Sequence, residues 1–151
     1  MKTIYTEIEI NAPAATIWRH LTDFSSYPHW NPLIISAEGG LEAGGRLKVT
    51  VAPPEARPMT FRPVVTRFDP NKELRWVGKL GGIPFLFVGE HCFRVEPVQG
   101  TVTRFIQSEY FSGLLVPVVW RSMSKSTKAG FEGMNYALKK RSENDMPNQG
   151  G

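Results

Sequence analysis

The segment Tyr27-Pro28-His29-Trp30-Asn31-Pro32 decides how this chain is organised. Each proline fixes its own φ angle and pushes the preceding residue out of the helical region, so the segment cannot be the middle of a helix or a central strand. We therefore predict a rigid aromatic elbow at 27–32. It ends a region of two short helices, over 13–21 and 24–27, with Pro28 stopping the second, and it opens a region rich in strands.

The sequence on either side of the elbow follows two periodicities. Residues 4–10 alternate apolar and polar side chains, which predicts a half-buried strand. Further strands are predicted at 33–37, 46–52, 59–68, 73–80, 87–95 and 101–111, with Pro63 at an edge or a bulge because it cannot donate to a ladder. From 114 to about 141, apolar residues recur at steps of four or three, which predicts one long helix. Its stripe is Leu115, Val119, Met123, Thr127, Phe131, Met134 and Leu138.

This order of elements predicts the α+β class: a strongly curved antiparallel sheet of about seven strands wrapped round the long C-terminal helix, with two short helices after the first strand. Such a sheet encloses a hollow unless large side chains fill it. Ser126, Gly130 and Gly133 make part of the helix small, which favours a hollow. Each glycine should cost about 1 kcal/mol relative to alanine within a helix.

Composition limits the class of protein. The 151 residues are 41% hydrophobic and 21% charged, which is typical of one soluble globular domain, predicted at 1–142 and followed by a disordered polar tail at 143–151. No apolar run approaches the roughly 20 residues of a membrane span, so no membrane insertion is expected. The polar N-terminus does not resemble a signal peptide, and Cys92, the one cysteine, excludes an intramolecular disulfide. A cytoplasmic protein is expected.

The net charge of +4 raises nucleic acid as a partner. The basic residues are scattered, apart from a small cluster at 139–141, and the last turns of a helix favour basic side chains in any case. No motif that reads bases is present. We therefore expect no nucleic-acid partner.

Several motifs together resemble the polyketide cyclase/dehydrase and lipid-transport group of the START/Bet v 1-like, or SRPBCC, superfamily. The resemblance covers about 2–142. It implies the helix-grip fold and an internal site for a small hydrophobic or lipid-like ligand. It does not choose a chemistry, because members include ligand carriers, cyclases, hydroxylase subunits and co-chaperones. The motifs are Ile10-Asn11-Ala12-Pro13-Ala14 with Ile17-Trp18, Leu21-Thr22-Asp23 with the elbow, Gly89-Glu90-His91 with Phe93, Gln107-Ser108-Glu109, Phe111-Ser112-Gly113-Leu114-Leu115, and Gly130-Phe131-Glu132-Gly133-Met134-Asn135.

The last two strands hold the best candidate site. If Phe93 faces inward, so does His91, and if Phe105 faces inward, so do Gln107 and Glu109, because side chains alternate along a strand. An ionised carboxylate in an apolar cavity is costly unless it is paired, and a histidine can share its proton. These residues are therefore candidates for contact with the polar group of a ligand. Three alternatives stay open: His91 and Glu109 act as a general acid and base, the cluster is only a buried structural network, or a bulge turns Glu109 to solvent.

Further ligand-contact candidates are apolar. Trp30 can cover ligand surface at a cavity mouth, although packing of the elbow is its simpler role. Methionines adapt to varied shapes. The remaining candidates are Trp76, Phe93, Phe105, Met123 and Met134, each of which has ordinary core packing as its alternative. The three histidines lack metal-ligand spacing, and no phosphate loop or dinucleotide fingerprint is present, so neither metal nor cofactor is expected.

Three hypotheses about function follow. The leading one is binding of a small, mostly hydrophobic molecule in an internal cavity between the sheet and the C-terminal helix. The alternative is a polyketide cyclase or dehydratase that uses His91 and Glu109 as acid and base. A third is an interaction module that acts through an exposed apolar surface. The ligand's identity and the oligomeric state stay open, a homodimer being one option.

Overall fold

The computed structural model describes residues 2–146, which form eight strands and three α-helices. Two 3₁₀ turns, Phe24–Ser26 and Leu80–Gly82, complete the elements. The strands are β1 Lys2–Asn11, β2 Ile34–Gly39, β3 Leu47–Val51, β4 Met59–Phe61, β5 Val64–Asp69, β6 Glu73–Lys79, β7 Val88–Gln99 and β8 Val102–Ser112. The helices are α1 Ala14–Thr22, α2 Tyr27–Trp30 and α3 Val116–Asn144. The predicted α+β class and order of elements are confirmed.

The strands form two antiparallel sheets. The larger has the order β1-β8-β7-β6-β5 and the smaller the order β2-β3-β4. A single bridge between Arg46 and Val64 joins them, supported by a hydrogen bond from the Leu47 amide to the Pro63 carbonyl at 2.9 Å. The two sheets thus continue each other around one interior, as the helix-grip fold requires.

Pro63 explains why there are eight strands rather than about seven. The sequence predicts one strand over 59–68, but the chain breaks at Arg62 and Pro63 into β4 and β5, which belong to different sheets. Proline has no N–H to donate to a ladder, so pairing is interrupted where it stands. The predicted bulge or edge position is in fact the point where the chain passes from one sheet to the other.

The aromatic elbow contains one more helical turn than predicted. Pro28 does not stop the second helix; it lies in the first turn of α2, where its missing N–H costs nothing. The Asn31 side chain then ends the turn, because its Oδ1 accepts hydrogen bonds from the Leu33 and Ile34 amides at 3.0 and 2.9 Å. Asn31 therefore caps backbone groups, and β2 starts immediately after it.

Helix α3 divides into two halves with different neighbours. The predicted apolar stripe is present, but only its part from Phe131 onward, comprising Phe131, Met134 and Leu138, is fully buried. That half packs against β1 and α1. The first half faces an open space between the sheets, described below. No helix within residues 2–146 is long and apolar enough to cross a membrane.

The boundary predicted between domain and tail lies inside α3. Glu143 and Asn144 are helical, because the Glu143 carboxylate accepts hydrogen bonds from Lys139 Nζ and the Asn11 amide, both at 2.8 Å. These bonds tie the helix end to β1. The rest of the predicted tail, from 147 onward, lies outside the described residues.

The two glycines of α3 do not line a hollow, contrary to the expectation from the sequence. Gly130 is buried, and a Cβ there would lie 2.7 Å from Leu33 Cδ1 and 3.4 Å from Pro54 Cδ. Gly133 is exposed, with Pro32 Cγ as its nearest neighbour at 4.0 Å. Gly130 thus lets the helix approach the start of β2 closely, whereas Ser126 does face the open space.

Candidate functional site

A cavity of about 540 Å³ lies between the two sheets and the first half of α3. Its wall is mainly apolar, and the exposed loop between β3 and β4 brings it to the surface through Glu55 and Arg57. Volume and lining match those of small-molecule sites. The main apolar residues are Leu33, Ile34, Val49, Val51, Met59, Phe61, Trp76, Leu80, Phe87, Phe111, Leu115, Val119, Met123 and Phe131, and α3 adds the hydroxyls of Ser122, Ser126 and Thr127.

Three neighbouring strands bring Trp76, His91 and Glu109 into one row on the cavity wall. Trp76 pairs with His91 across β6 and β7, and His91 pairs with Glu109 across β7 and β8. His91 Nδ1 lies 2.8 Å from Glu109 Oε1. His91, Gln107 and Glu109 face inward as predicted: His91 and Glu109 line the cavity, and Gln107 is buried behind its wall.

A chain of buried polar groups lies behind His91. Its Nε2 is 3.0 Å from Gln107 Oε1, and the Gln107 amide nitrogen donates to Asn135 Oδ1 at 2.8 Å. Asn135 Nδ2 in turn donates to Thr6 Oγ1 at 2.9 Å, and Thr6 donates to the Gln107 carbonyl at 2.8 Å. We call Thr6, Gln107 and Asn135 the polar chain. It fixes the plane of the imidazole from the core side.

Aromatic rings hold the His91 imidazole on its remaining sides. Trp76 stacks on it with a centroid distance of 5.2 Å and an interplanar angle of 16°. Phe93 and Phe131 meet it edge to face at 4.8 and 5.1 Å. With both ring nitrogens engaged as well, the imidazole has no freedom to turn into the cavity.

The Glu109 carboxylate is the polar group of this row that reaches the open space. Oε1 is bound to His91, whereas no partner for Oε2 exists among residues 2–146. Gly89, on the neighbouring strand, makes room for it: a Cβ at position 89 would overlap Oε2. Glu109 and Gly89 both line the cavity.

The structure places the predicted ligand contacts in three different environments. Trp76, His91, Glu109 and Met123 line the cavity. Their assignment as ligand contacts stays a prediction. The other core candidates, Gln107, Phe93, Phe105 and Met134, are fully buried behind the wall and do not reach the open space.

Trp30 lies away from the cavity. Its ring packs edge to face on Tyr27 at 5.3 Å, and its indole N–H donates to Ser26 Oγ at 3.2 Å. Its other side borders a shallow surface depression next to His20 and Arg141. The predicted position at a cavity mouth is therefore wrong, and the simpler role of packing the elbow is what the structure shows. Tyr27 itself is fully enclosed, and this burial raises the pKa of its hydroxyl.

Sequence reasoning missed three residues of the site, namely Thr6, Gly89 and Asn135. Thr6 and Asn135 each carried a signal, since both are polar residues within an apolar stripe, one on β1 and one on α3. Buried polar side chains need hydrogen-bond partners. Gly89 gave no comparable signal, because its role depends on where the Glu109 carboxylate lies.

Cys92 faces away from His91 and is buried. It lies on the outer face of β7 opposite Arg75, whose guanidinium donates to Glu90 at 2.9 Å. Burial raises the pKa of the Cys92 thiol to about 11, with a smaller contribution from nearby Glu73. The thiol therefore has no part in the cavity.

The sequence matches one family model over nearly its full length. That model describes polyketide cyclase/dehydrase and lipid transport proteins, and it matches residues 1–143. No curated protein sequence matches this chain at a significant level.

Similar solved structures support the fold. A START superfamily protein from Mycobacterium smegmatis is 22% identical with a TM-score of 0.75, the match covering 95% of this chain and 99% of that one. The Zhui aromatase/cyclase from Streptomyces sp. R1128 is 15% identical with a TM-score of 0.75, covering 99% and 98%. A norcoclaurine synthase mutant from Thalictrum flavum is 19% identical with a TM-score of 0.70, covering 93% of each chain. At these identities the likeness shows the fold alone.

Proposed function

Since this chain belongs to the polyketide cyclase/dehydrase and lipid transport family, we propose that it binds a small, mostly apolar molecule in the cavity between the sheets and α3. The observation that carries the proposal is a cavity of about 540 Å³ whose wall is apolar except for a few placed polar groups. Transfer of apolar ligand surface from water into such a wall is favourable by about 25 cal/mol per Å². The Glu109 carboxylate and the α3 hydroxyls then orient the ligand.

The test is to fill the cavity from α3 and to measure binding of an environment-sensitive apolar dye. Thr127 lines the cavity, whereas Ala129 is exposed two residues further along the same helix. Thr127→Phe should weaken dye binding at least about tenfold, because the ring takes up space that the ligand needs. Ala129→Phe is the matched control and should bind the dye like the parent. Equal binding by both variants, or a parent that binds no dye, would contradict the proposal.

Acid–base catalysis on a carbonyl substrate is the second candidate, and the His91–Glu109 pair favours it. The hydrogen bond of 2.8 Å lies at the wall of the cavity, and one similar fold belongs to an aromatase/cyclase. Glu109 would be the group that touches the substrate. His91 would act as its positioning and proton-sharing partner, because both imidazole nitrogens are already engaged.

A cyclisation assay on a β-polycarbonyl thioester distinguishes this candidate from simple binding. Glu109→Gln should lower kcat by about 10²–10⁴, the usual contribution of general acid–base catalysis. His91→Ala should lower kcat as well, while both variants retain dye binding. Unchanged turnover in both variants, or no turnover in the parent, would remove the enzymatic candidate and leave the binding proposal intact.

A further inference from the structure

The backbone carbonyl of Gln107 determines which atoms of the polar chain donate hydrogen bonds and which accept them. Thr6 has a single hydroxyl proton and donates it to this backbone carbonyl, which can only accept. Thr6 Oγ1 must therefore accept from Asn135, so the Asn135 amide nitrogen faces Thr6 and its oxygen faces Gln107. The hydrogen-bond partners of Asn135 thus determine the orientation of its amide group.

The same reasoning fixes the orientation of the Gln107 side chain. Its amide nitrogen faces Asn135 Oδ1 at 2.8 Å and the Phe131 backbone carbonyl at 3.4 Å, both of which are acceptors. Its oxygen consequently faces His91 Nε2 at 3.0 Å. Since an amide oxygen can only accept, His91 Nε2 carries a proton.

One further proton then lies between His91 and Glu109. With Nε2 protonated, a neutral imidazole has a bare Nδ1, and Nδ1 lies 2.8 Å from the Glu109 carboxyl oxygen Oε1. Two bare acceptors at that distance would repel each other, so a proton is on Nδ1 or on Oε1. In the first case Oε2 belongs to a carboxylate, and in the second it is the carbonyl oxygen of a carboxylic acid. Oε2 is a hydrogen-bond acceptor in both cases.

This acceptor is presented to the cavity without a competing protein donor. Oε2 has no partner among the described residues, and it occupies the space that the missing side chain of Gly89 leaves at the cavity wall. The Glu109 side chain keeps 19% of its surface exposed, although the paired His91 keeps only 8%. The cavity wall formed by Trp76, His91 and Glu109 therefore presents Oε2 as a fixed acceptor.

Building on the proposed binding function, we propose that the ligand carries a hydroxyl or amine donor that meets Glu109 Oε2. A ligand of this class is an apolar alcohol, a phenol or an apolar amine. A carboxylate at this end of the ligand would place acceptor against acceptor with no proton to share. An apolar molecule without a hydrogen-bond donor would displace water from Oε2 and leave this atom without a hydrogen bond, which weakens binding. The cavity thus selects ligands that carry a hydrogen-bond donor at this position, in addition to selecting them by shape.

The test compares three probes of one shape, 2-naphthol, naphthalene and 2-naphthoate, by displacement of the apolar dye at pH 7. Naphthol should bind at least about tenfold more tightly than naphthalene, because naphthalene leaves the Oε2 acceptor without the hydrogen bond that naphthol donates. Naphthoate should bind more weakly than naphthalene. Naphthoate binding as tightly as naphthol would overturn the inference, and so would equal binding of all three probes. A parent that binds neither dye nor probe would instead refute the proposed binding function itself.

Two alanine substitutions show whether Glu109 is responsible. Gly89→Ala places a methyl group where Oε2 lies and should abolish the preference for naphthol over naphthalene. Gly78→Ala is the matched control, because Gly78 pairs with Gly89 across β6 and β7, while a Cβ there meets only Pro63 Cβ at 3.8 Å. That variant should keep the ratio of the parent. Glu109→Leu should lose the preference as well, and retention of it in Glu109→Leu would contradict the assignment. Thermal melts confirm that each variant is folded.

Discussion

Replacement of Gln107 by leucine should destabilise the fold through the polar chain. Gln107 is fully buried, and its amide serves His91 Nε2, Asn135 Oδ1 and the Phe131 carbonyl. Leucine has a similar size but no polar atom, so His91 and Asn135 each lose a partner in a place that water does not reach. The loss of stability thus comes from buried polar groups that have lost their hydrogen-bond partner, and not from an empty cavity.

The size of the effect follows from the number of orphaned groups. Each buried donor or acceptor left without a partner costs about 1–3 kcal/mol. The orphaned donor of His91 and the orphaned acceptor of Asn135 together give about 2–6 kcal/mol, and the apolar surface of leucine offsets part of this. We expect a net loss of about 2–4 kcal/mol. At about 2–4 °C per kcal/mol for a chain of this length, Tm should fall by about 5–15 °C.

Urea unfolding of a double-mutant cycle with Asn135→Leu is the assay. The double variant should be more stable than the sum of the two single changes by at least about 1 kcal/mol, because each single change orphans the other amide. Ser142→Ala is the control: Ser142 Oγ is buried on the same helix without a partner among the described residues, so its removal should cost little or nothing. Additivity within about 0.5 kcal/mol, or a Gln107→Leu cost no larger than that of Ser142→Ala, would refute the reasoning.

Three other predictions concern α3 and the outer face of the sheet. Gly133→Ala should raise the free energy of unfolding by about 1 kcal/mol, because alanine has the higher helix propensity. Gly130→Leu should lower it by about 1–3 kcal/mol, because the new side chain meets Leu33. Thermal melts check both, and a Gly130→Leu variant more stable than the parent would show that position 130 faces open space. The Cys92 thiol, with its pKa raised to about 11 by burial, should react with a disulfide reagent at pH 8 at least about a hundredfold more slowly than an exposed thiol, and at the ordinary rate in denaturant. Fast labelling of the native protein would contradict the buried position.

Local periodicity was enough to predict most of the architecture. A strand shows its period of two and a helix its period of 3.6 within a few residues. The strands, the long helix and the inward orientation of His91, Gln107 and Glu109 were therefore predictable from the sequence. The alternation does not set the register between β7 and β8, which places His91 opposite Glu109.

What the sequence left undecided were the positions that depend on distant parts of the chain. The break at Pro63 became a passage between two sheets only because β4 and β5 found different partners. Gly130 looked like room for a ligand, but Leu33 fills the space in front of it. Both cases concern packing against a segment far away in the sequence, about which local periodicity carries no information.

The sequence by itself determined which side chains face the interior, because that depends on the local period of each element. Tertiary structure alone decided which of them border the cavity and which lie behind its wall, as with Glu109 and Gln107 on one strand. It also decided that Thr6 and Asn135, 129 positions apart, complete the support of His91. The physical reason is that hydrogen bonding and packing act at distances of a few ångström, and only the folded chain sets which distant residues come that close.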